Sequence, residues 1–170
     1  MGRNTMKKSS YTLKPSNALS TSDSEEFVWT TRVRYAETDR MGRAYHGAYA
    51  AWLEVARVEW LRAHGLNYAE LEHEGWLLPV TALSIRYLHP VPYDAEVRIR
   101  VRLVSTEGVR LHFHYILDIE GVHVATADVE LACIDAVTGR PRRFAFPWAG
   151  GPNPAQPQHT PPAAAQDQSA

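Results

Sequence analysis

Tyr45-His46-Gly47-Ala48-Tyr49-Ala50-Ala51-Trp52-Leu53-Glu54-Val55-Ala56-Arg57-Val58-Glu59-Trp60-Leu61-Arg62-Ala63-His64 is the stretch on which the fold turns. Tyr49, Trp52, Leu53, Ala56, Trp60 and Leu61 recur at helical spacing, the mark of a helix with a buried face. Val55 and Val58 widen the apolar surface beyond one stripe, so the helix is expected to be enclosed rather than laid on a surface. Gly65 is a natural stop. With about 1.5 Å of rise per residue the helix should be roughly 28 Å long. A short second helix is expected behind it, capped by Asn67 and ended by Gly75.

Around this helix the chain reads as strand. Phe27 to Tyr35 alternates loosely. Leu77 to Leu88 is apolar, with Pro79 near its start or at an edge. Val97, Ile99, Val101 and Leu103 alternate with Glu96, Arg98, Arg100 and Arg102. Leu111, Phe113, Tyr115, Leu117 and Ile119 alternate with His112, His114, Asp118 and Glu120, and Val122 to Ile134 is a last long strand. Glu107-Gly108, Glu120-Gly121 and Thr138-Gly139 are turn signals, so the three long strands should form an antiparallel meander. One long helix with about five strands gives an α+β domain, most economically an antiparallel sheet curled around the helix. The sheet's other face, rich in arginine, is a candidate surface for self-association.

The whole chain has 170 residues, 45% of them hydrophobic and 22% charged, with 18 Lys+Arg against 19 Asp+Glu. That near-neutral balance argues against a protein built to coat nucleic acid or an anionic membrane. No segment approaches the length of apolar sequence that crosses a bilayer. No apolar run follows Lys7 and Lys8, so a secretory signal is not expected and the cytoplasm is the expected location. A single cysteine, Cys133, excludes an internal disulfide and a multi-cysteine zinc site. Residues 1–26 are rich in Ser and Thr, and 147–170 are rich in Pro and Ala. Both are expected to be flexible tails, which leaves 27–146 as the folded domain.

The polar break before the long helix carries the chemistry. Tyr35, Glu37, Asp39 and His46 fall together there, next to a helix N-terminus whose first N–H groups lack helical partners and favour negative charge. A carbonyl placed at that end is polarised, and the oxyanion formed on attack is stabilised. A carboxylate just upstream supplies a general base or nucleophile. The pair suits hydrolysis of a thioester, whose thiolate leaves without a strong general acid. Taken residue by residue, Asp39 can equally be a cap or turn former, His46 a surface histidine and Tyr35 a packed strand aromatic.

The run Tyr35-Ala36-Glu37-Thr38-Asp39-Arg40-Met41-Gly42-Arg43-Ala44-Tyr45-His46-Gly47-Ala48-Tyr49, continuing to Glu54-Val55-Ala56-Arg57, resembles the hotdog-fold acyl-CoA thioesterases of the 4-hydroxybenzoyl-CoA thioesterase type. It is most similar to their Tol-Pal-associated branch. The resemblance implies a long helix wrapped by a curled antiparallel sheet. It also implies hydrolysis of acyl-CoA or acyl-carrier-protein thioesters without metal or other cofactor, and a homodimer or homotetramer with sites at the subunit interface. It makes Asp39 the catalytic carboxylate, as base or nucleophile. Tyr35 and His46 are placed beside it, and the His46 backbone N–H at the thioester carbonyl. Tyr45, Gly47 and Arg43 become substrate-binding candidates. The sequence departs from that pattern at Arg43 and Ala44, where branched aliphatics are usual, and at Ala48, where Asn is frequent. Two other readings remain open, a non-catalytic acyl-thioester binding module and a hotdog hydratase or dehydratase.

His112 and His114 share a strand face, and with Asp118 they offer metal-ligand types; cross-strand polar packing is the plainer expectation. Arg98, Arg100 and Arg102 form a basic row expected to be balanced by Glu96 and Glu130. Cys133, among apolar residues, is expected to be an inert buried thiol.

Overall fold

A computed structural model describes residues 27–143. Its elements in order are β1 (Phe27–Arg32), a 3-10 turn (Tyr35–Glu37), α1 (His46–Ala63), α2 (Tyr68–His73), β2 (Trp76–Leu77), β3 (Val80–Tyr87), β4 (Glu96–Glu107), β5 (Arg110–Ile119), β6 (Val122–Ala132) and β7 (Ile134–Asp135). Five strands form one antiparallel sheet in the order β1-β4-β5-β6-β3, and β2 with β7 make a small antiparallel ribbon beside it. This is the hotdog arrangement expected from the sequence. The two segments expected as tails, and 144–146 of the expected domain, lie outside the described residues.

The meander β4-β5-β6 forms where its turns predict. Glu120 and Gly121 both sit at positive φ, 49° and 83°, as a tight two-residue hairpin loop requires. Bulges interrupt the ladders between Val80 and Ala82, Leu103 and Ser105, and Leu117 and Asp118. Each bends and twists its strand, which is how a flat ladder comes to curl around a helix. The inward residues Val97, Ile99, Val101, Leu111, Phe113, Tyr115 and Leu117 meet Tyr49, Trp52, Leu53, Ala56, Trp60 and Leu61 of α1 in one continuous core. Trp60 packs edge-to-face on Phe113, ring centroids 5.2 Å apart. Leu53→Ala, at the centre of this contact, is expected to cost about 2–5 kcal/mol, read as a lowered midpoint in a denaturant titration.

Four expectations need correction. The first strand stops at Arg32, and Tyr35 instead begins the 3-10 turn with 81% of its surface exposed. The Leu77 to Leu88 strand is split in two, because Pro79 cannot donate to a ladder. The helix is enclosed on one side only. Ala50, Ala51, Glu54 and Val55 face away from the sheet and are exposed, because the single sheet covers one face of α1. The arginine row is not balanced as expected: Arg100 pairs with Asp118, while Glu96 meets Arg32 and Glu130 meets Arg110.

The short helix is capped as predicted, the Asn67 side chain accepting from Ala69 N–H at 3.1 Å. Cys133 is buried, as expected. His112 and His114 both bond Asp128 across the strands, at 3.2 and 2.9 Å, whereas Asp118 belongs to His123 and Arg100. Among the described residues no group of three or more potential ligands is placed to hold a metal, and no helix is long and apolar enough to cross a membrane.

Candidate active site

The site is built on a small hairpin that feeds the chain into α1. Thr38 pairs with Ala44, and Arg43 pairs with Pro92. Glu37 carbonyl oxygen accepts from Tyr45 N–H at 2.9 Å, and Ala44 N–H donates to Val91 carbonyl oxygen at 2.8 Å. Asp39 sits at the base of the turn between these pairs. Its Oδ1 accepts from Met41 N–H at 2.8 Å and Arg43 N–H at 3.3 Å, and its backbone N–H donates to Arg43 carbonyl oxygen at 2.8 Å. Gly42, at φ 68°, closes the turn in a conformation that suits glycine. This arrangement fixes the carboxylate while leaving Oδ2 without a hydrogen bond among the described residues.

The helix begins at His46 with no side-chain cap. The N–H groups of His46 and Gly47 therefore have no partner in the helix and carry its positive end. The Tyr45 ring lies across Gly47: a Cβ there would stand 2.5 Å from Tyr45 Cε2. Any side chain at 47 would push the Tyr45 ring aside, so glycine lets the ring lie against the helix end as a wall. The Tyr45 and His46 rings meet edge-on at 5.7 Å.

Glu37 explains why the hairpin holds its place. It is one of the few charged residues that are buried. Its Oε1 accepts from Arg34 Nε at 3.0 Å, Arg34 Nη2 at 2.6 Å and Trp52 Nε1 at 3.0 Å, and its Oε2 accepts from Arg34 N–H at 2.9 Å. Burial pushes its pKa up, but the bonds from Arg34 and Trp52 outweigh burial and hold the carboxyl below its usual range. Because Trp52 belongs to α1, Glu37 ties the hairpin that carries Asp39 to the helix that follows it.

A second tie comes from the sheet. Tyr87, the last residue of β3, donates from its hydroxyl to His46 carbonyl oxygen at 3.2 Å and meets the Tyr49 ring edge-on at 4.9 Å. Burial, and then proximity to Tyr87, pushes the Tyr49 phenol up to about 12, so it stays protonated.

Of the residues expected in the site, the structure gathers Tyr45, His46 and Gly47 at the helix end and holds Asp39 on the adjoining hairpin. Arg43 lends its backbone to the turn, and its side chain is exposed. Tyr35 stands apart, edge-on to Tyr93 with ring centroids 5.8 Å apart. No hydrogen bond joins Tyr35 or His46 to Asp39 among the described residues. Glu37 was visible in the sequence only as a neighbour of Asp39. Trp52 and Tyr87 were read as core and strand, and their roles appear only once the helix and β3 are placed.

The hairpin that holds Asp39 thus leads straight into the uncapped end of a long helix on a hotdog sheet. The sequence matches the Thioesterase-like superfamily over residues 33–164, and the chain belongs to that family. It is 32% identical over 117 residues to the acyl-CoA thioester hydrolase YbgC of Escherichia coli O157:H7, a match spanning 68% of this chain and 87% of that protein. The DHNA-CoA thioesterase of Staphylococcus aureus superposes with a TM-score of 0.67 at 35% identity, over 69% of this chain and 80% of that one. A 1,4-dihydroxy-2-naphthoyl-CoA thioesterase from Synechocystis, 20% identical, shares the fold with a TM-score of 0.68 over 72% of this chain and 92% of its own.

Proposed function

We propose that the protein hydrolyses acyl-CoA thioesters to free acid and CoA, with Asp39 as the catalytic carboxylate. The observation that carries this reading is a hairpin that holds Asp39 by one oxygen, leaves the other without a hydrogen bond among the described residues, and leads directly into the uncapped N-terminus of α1 through the Tyr45 N–H to Glu37 carbonyl bond. The thioester carbonyl oxygen accepts from the N–H groups of His46 and Gly47. Water attacks the carbonyl carbon, and Asp39 Oδ2 takes its proton, or Asp39 attacks directly and the anhydride is hydrolysed. The electron pair gathers on the carbonyl oxygen at the helix end, where such donors are worth about 2.7–4 kcal/mol each. It then returns as the carbon–sulfur bond breaks and the thiolate leaves. The His46 side chain orients water and acyl group, the Tyr45 ring over Gly47 walls the pocket, and Arg43 reaches toward the anionic parts of the substrate; Tyr35, which stands apart, takes a part only if substrate or a second copy of the chain bridges it to the site. The reaction needs no cofactor, and the cytoplasm is the location that goes with this reading; no helix among the described residues is long and apolar enough to cross a membrane.

The site is shared between two copies of the chain in this reading. β3 is hydrogen-bonded on one side only. Its helix-side residues Leu83, Ile85 and Tyr87, in register with Val129, Ala127 and Ala125, extend past the cover that α1 provides, and Leu83 and Tyr87 are about half exposed. An open apolar edge of this length is a liability that pairing with a second copy removes. Since β3 ends at Tyr87, on the helix terminus, pairing there brings the partner to the site. Leu83→Lys is expected to convert a dimer to a monomer in sedimentation velocity and to depress activity with it. An unchanged dimer would place the interface elsewhere.

The activity itself is tested by free-thiol release from a panel of acyl-CoA thioesters, with an acyl-carrier-protein thioester and an enoyl-CoA included. Thiol release with saturation is expected. Hydration of the enoyl-CoA without thiol release, or saturable binding without turnover, would overturn the hydrolase reading.

A further inference from the structure

Two polar side chains approach each other in the core, each with a buried atom that makes no well-formed hydrogen bond; Trp60, one turn along α1 from Arg57, packs on Phe113 beside Tyr115. Arg57 points inward from the middle of α1 and is 7% exposed; Tyr115 lies on the central strand β5 and is 0% exposed. Neither Arg57 Nε nor Tyr115 Oη makes a hydrogen bond, and Arg57 has no ion-pair partner among the described residues. The two are close enough to interact. Burial pushes the Tyr115 phenol up to about 12, and the nearby Arg57 guanidinium pulls against it. Tyr68, at the start of α2, also feels that guanidinium.

Such a pair calls for a third member. A guanidinium does not give up its proton, and a buried charge without a counter-charge is strongly unfavourable. The phenol oxygen can accept from the guanidinium, but it brings no negative charge and still has a proton to donate, so the missing partner is an acceptor, and the positive charge selects an anionic one. A carboxylate accepts from a guanidinium and a phenol at once.

The place of the pair says where the carboxylate comes from. Arg57 lies on the same helix as His46, about 16 Å further along the axis. Helical side chains lean back toward the N-terminus, which brings the guanidinium within the length of an acyl group whose carbonyl sits at the helix end. This step rests on the thioesterase reading above.

We propose that Arg57 and Tyr115 form a recognition site for a carboxylate at the far end of the acyl group, so that the preferred substrates are CoA thioesters of dicarboxylic acids. The thioester end is processed at Asp39, and the distal carboxylate neutralises Arg57. A plain acyl chain would leave both polar groups unmatched, and a site built for a polar group rejects the analogue that lacks it.

Sebacoyl-CoA and decanoyl-CoA test this, since they differ only in the distal group and are long enough to run from the helix end toward Arg57. In the wild type, kcat/KM for sebacoyl-CoA is expected to exceed that for decanoyl-CoA by about tenfold or more. Tyr115→Phe, which keeps the core volume, should lower that ratio several-fold, and Arg57→Met should bring it to about one. A wild-type ratio near one, or a ratio that neither substitution alters, overturns the proposal and leaves the pair to a structural water. If neither thioester is hydrolysed, the catalytic reading fails on its own, and calorimetric binding of the two thioesters still decides this one. Tighter binding of sebacoyl-CoA that Arg57→Met abolishes supports it, and equal binding overturns it.

Discussion

Asp39→Asn is expected to lower kcat for acyl-CoA hydrolysis by about 10²–10⁴-fold, with KM changed little. The amide keeps the size of the side chain and one oxygen, so it can still accept from the Met41 and Arg43 N–H groups that fix the turn. What it loses is the charge and basicity of Oδ2, which act on water or on the thioester in the transition state. The helix end remains, and with it residual stabilisation of the oxyanion. Circular dichroism and the unfolding midpoint should match the wild type, which separates loss of chemistry from loss of structure. Equal rates in the two proteins would remove Asp39 from the mechanism.

Glu37→Gln should act on stability and activity together. The charged carboxylate accepts four hydrogen bonds, two from the Arg34 side chain, one from its backbone and one from Trp52. An amide there sets at least one donor against another and leaves Arg34 without its counter-charge. Because Arg34 is largely exposed, water screens part of that loss. The expected cost is about 2 kcal/mol, below the roughly 3–5 kcal/mol of a fully buried pair, and the melting temperature should fall by about 5–10 °C. The pH dependence has a definite sign. The folded-state pKa of Glu37 is lowered, so its contribution is present above the unfolded value near 4.5 and is lost as pH falls through the lower folded value. The gap between wild type and variant should therefore be widest near neutrality and close as pH falls below 4.5 and through the lower folded value. A gap that stayed constant into acid would mean that the charge is not what holds the hairpin.

The sequence exposed the elements that repeat and hid those that depend on register. Helix α1 was legible because Tyr49, Trp52, Leu53, Ala56, Trp60 and Leu61 carry a period that survives burial. The meander was legible because Gly108 and Gly121 mark turns that need positive φ. β3 was harder, since an edge strand exposed along its length shows no clean alternation. Glu37 was hidden because Trp52 lies fifteen residues away, and its contact exists only after the helix folds back on the hairpin. Arg57 was hidden for a different reason: an arginine on an amphipathic helix reads as surface, and only the placement of α1 on the sheet turns it inward. The pairing of Asp118 with His123 and Arg100, rather than with the two histidines beside it, follows from a bulge that no local pattern announces.

The central claim is that the thioester carbonyl lies at the N-terminus of α1 with Asp39 in reach of its carbon. A crystal structure with an acyl-CoA analogue in which a methylene replaces the sulfur tests it most directly. The account predicts the ketone oxygen within about 2.7–3.1 Å of the His46 or Gly47 N–H, and an Asp39 oxygen facing the carbonyl carbon directly or through one water. An analogue bound with its carbonyl away from the helix end, and Asp39 turned from it, would contradict the account.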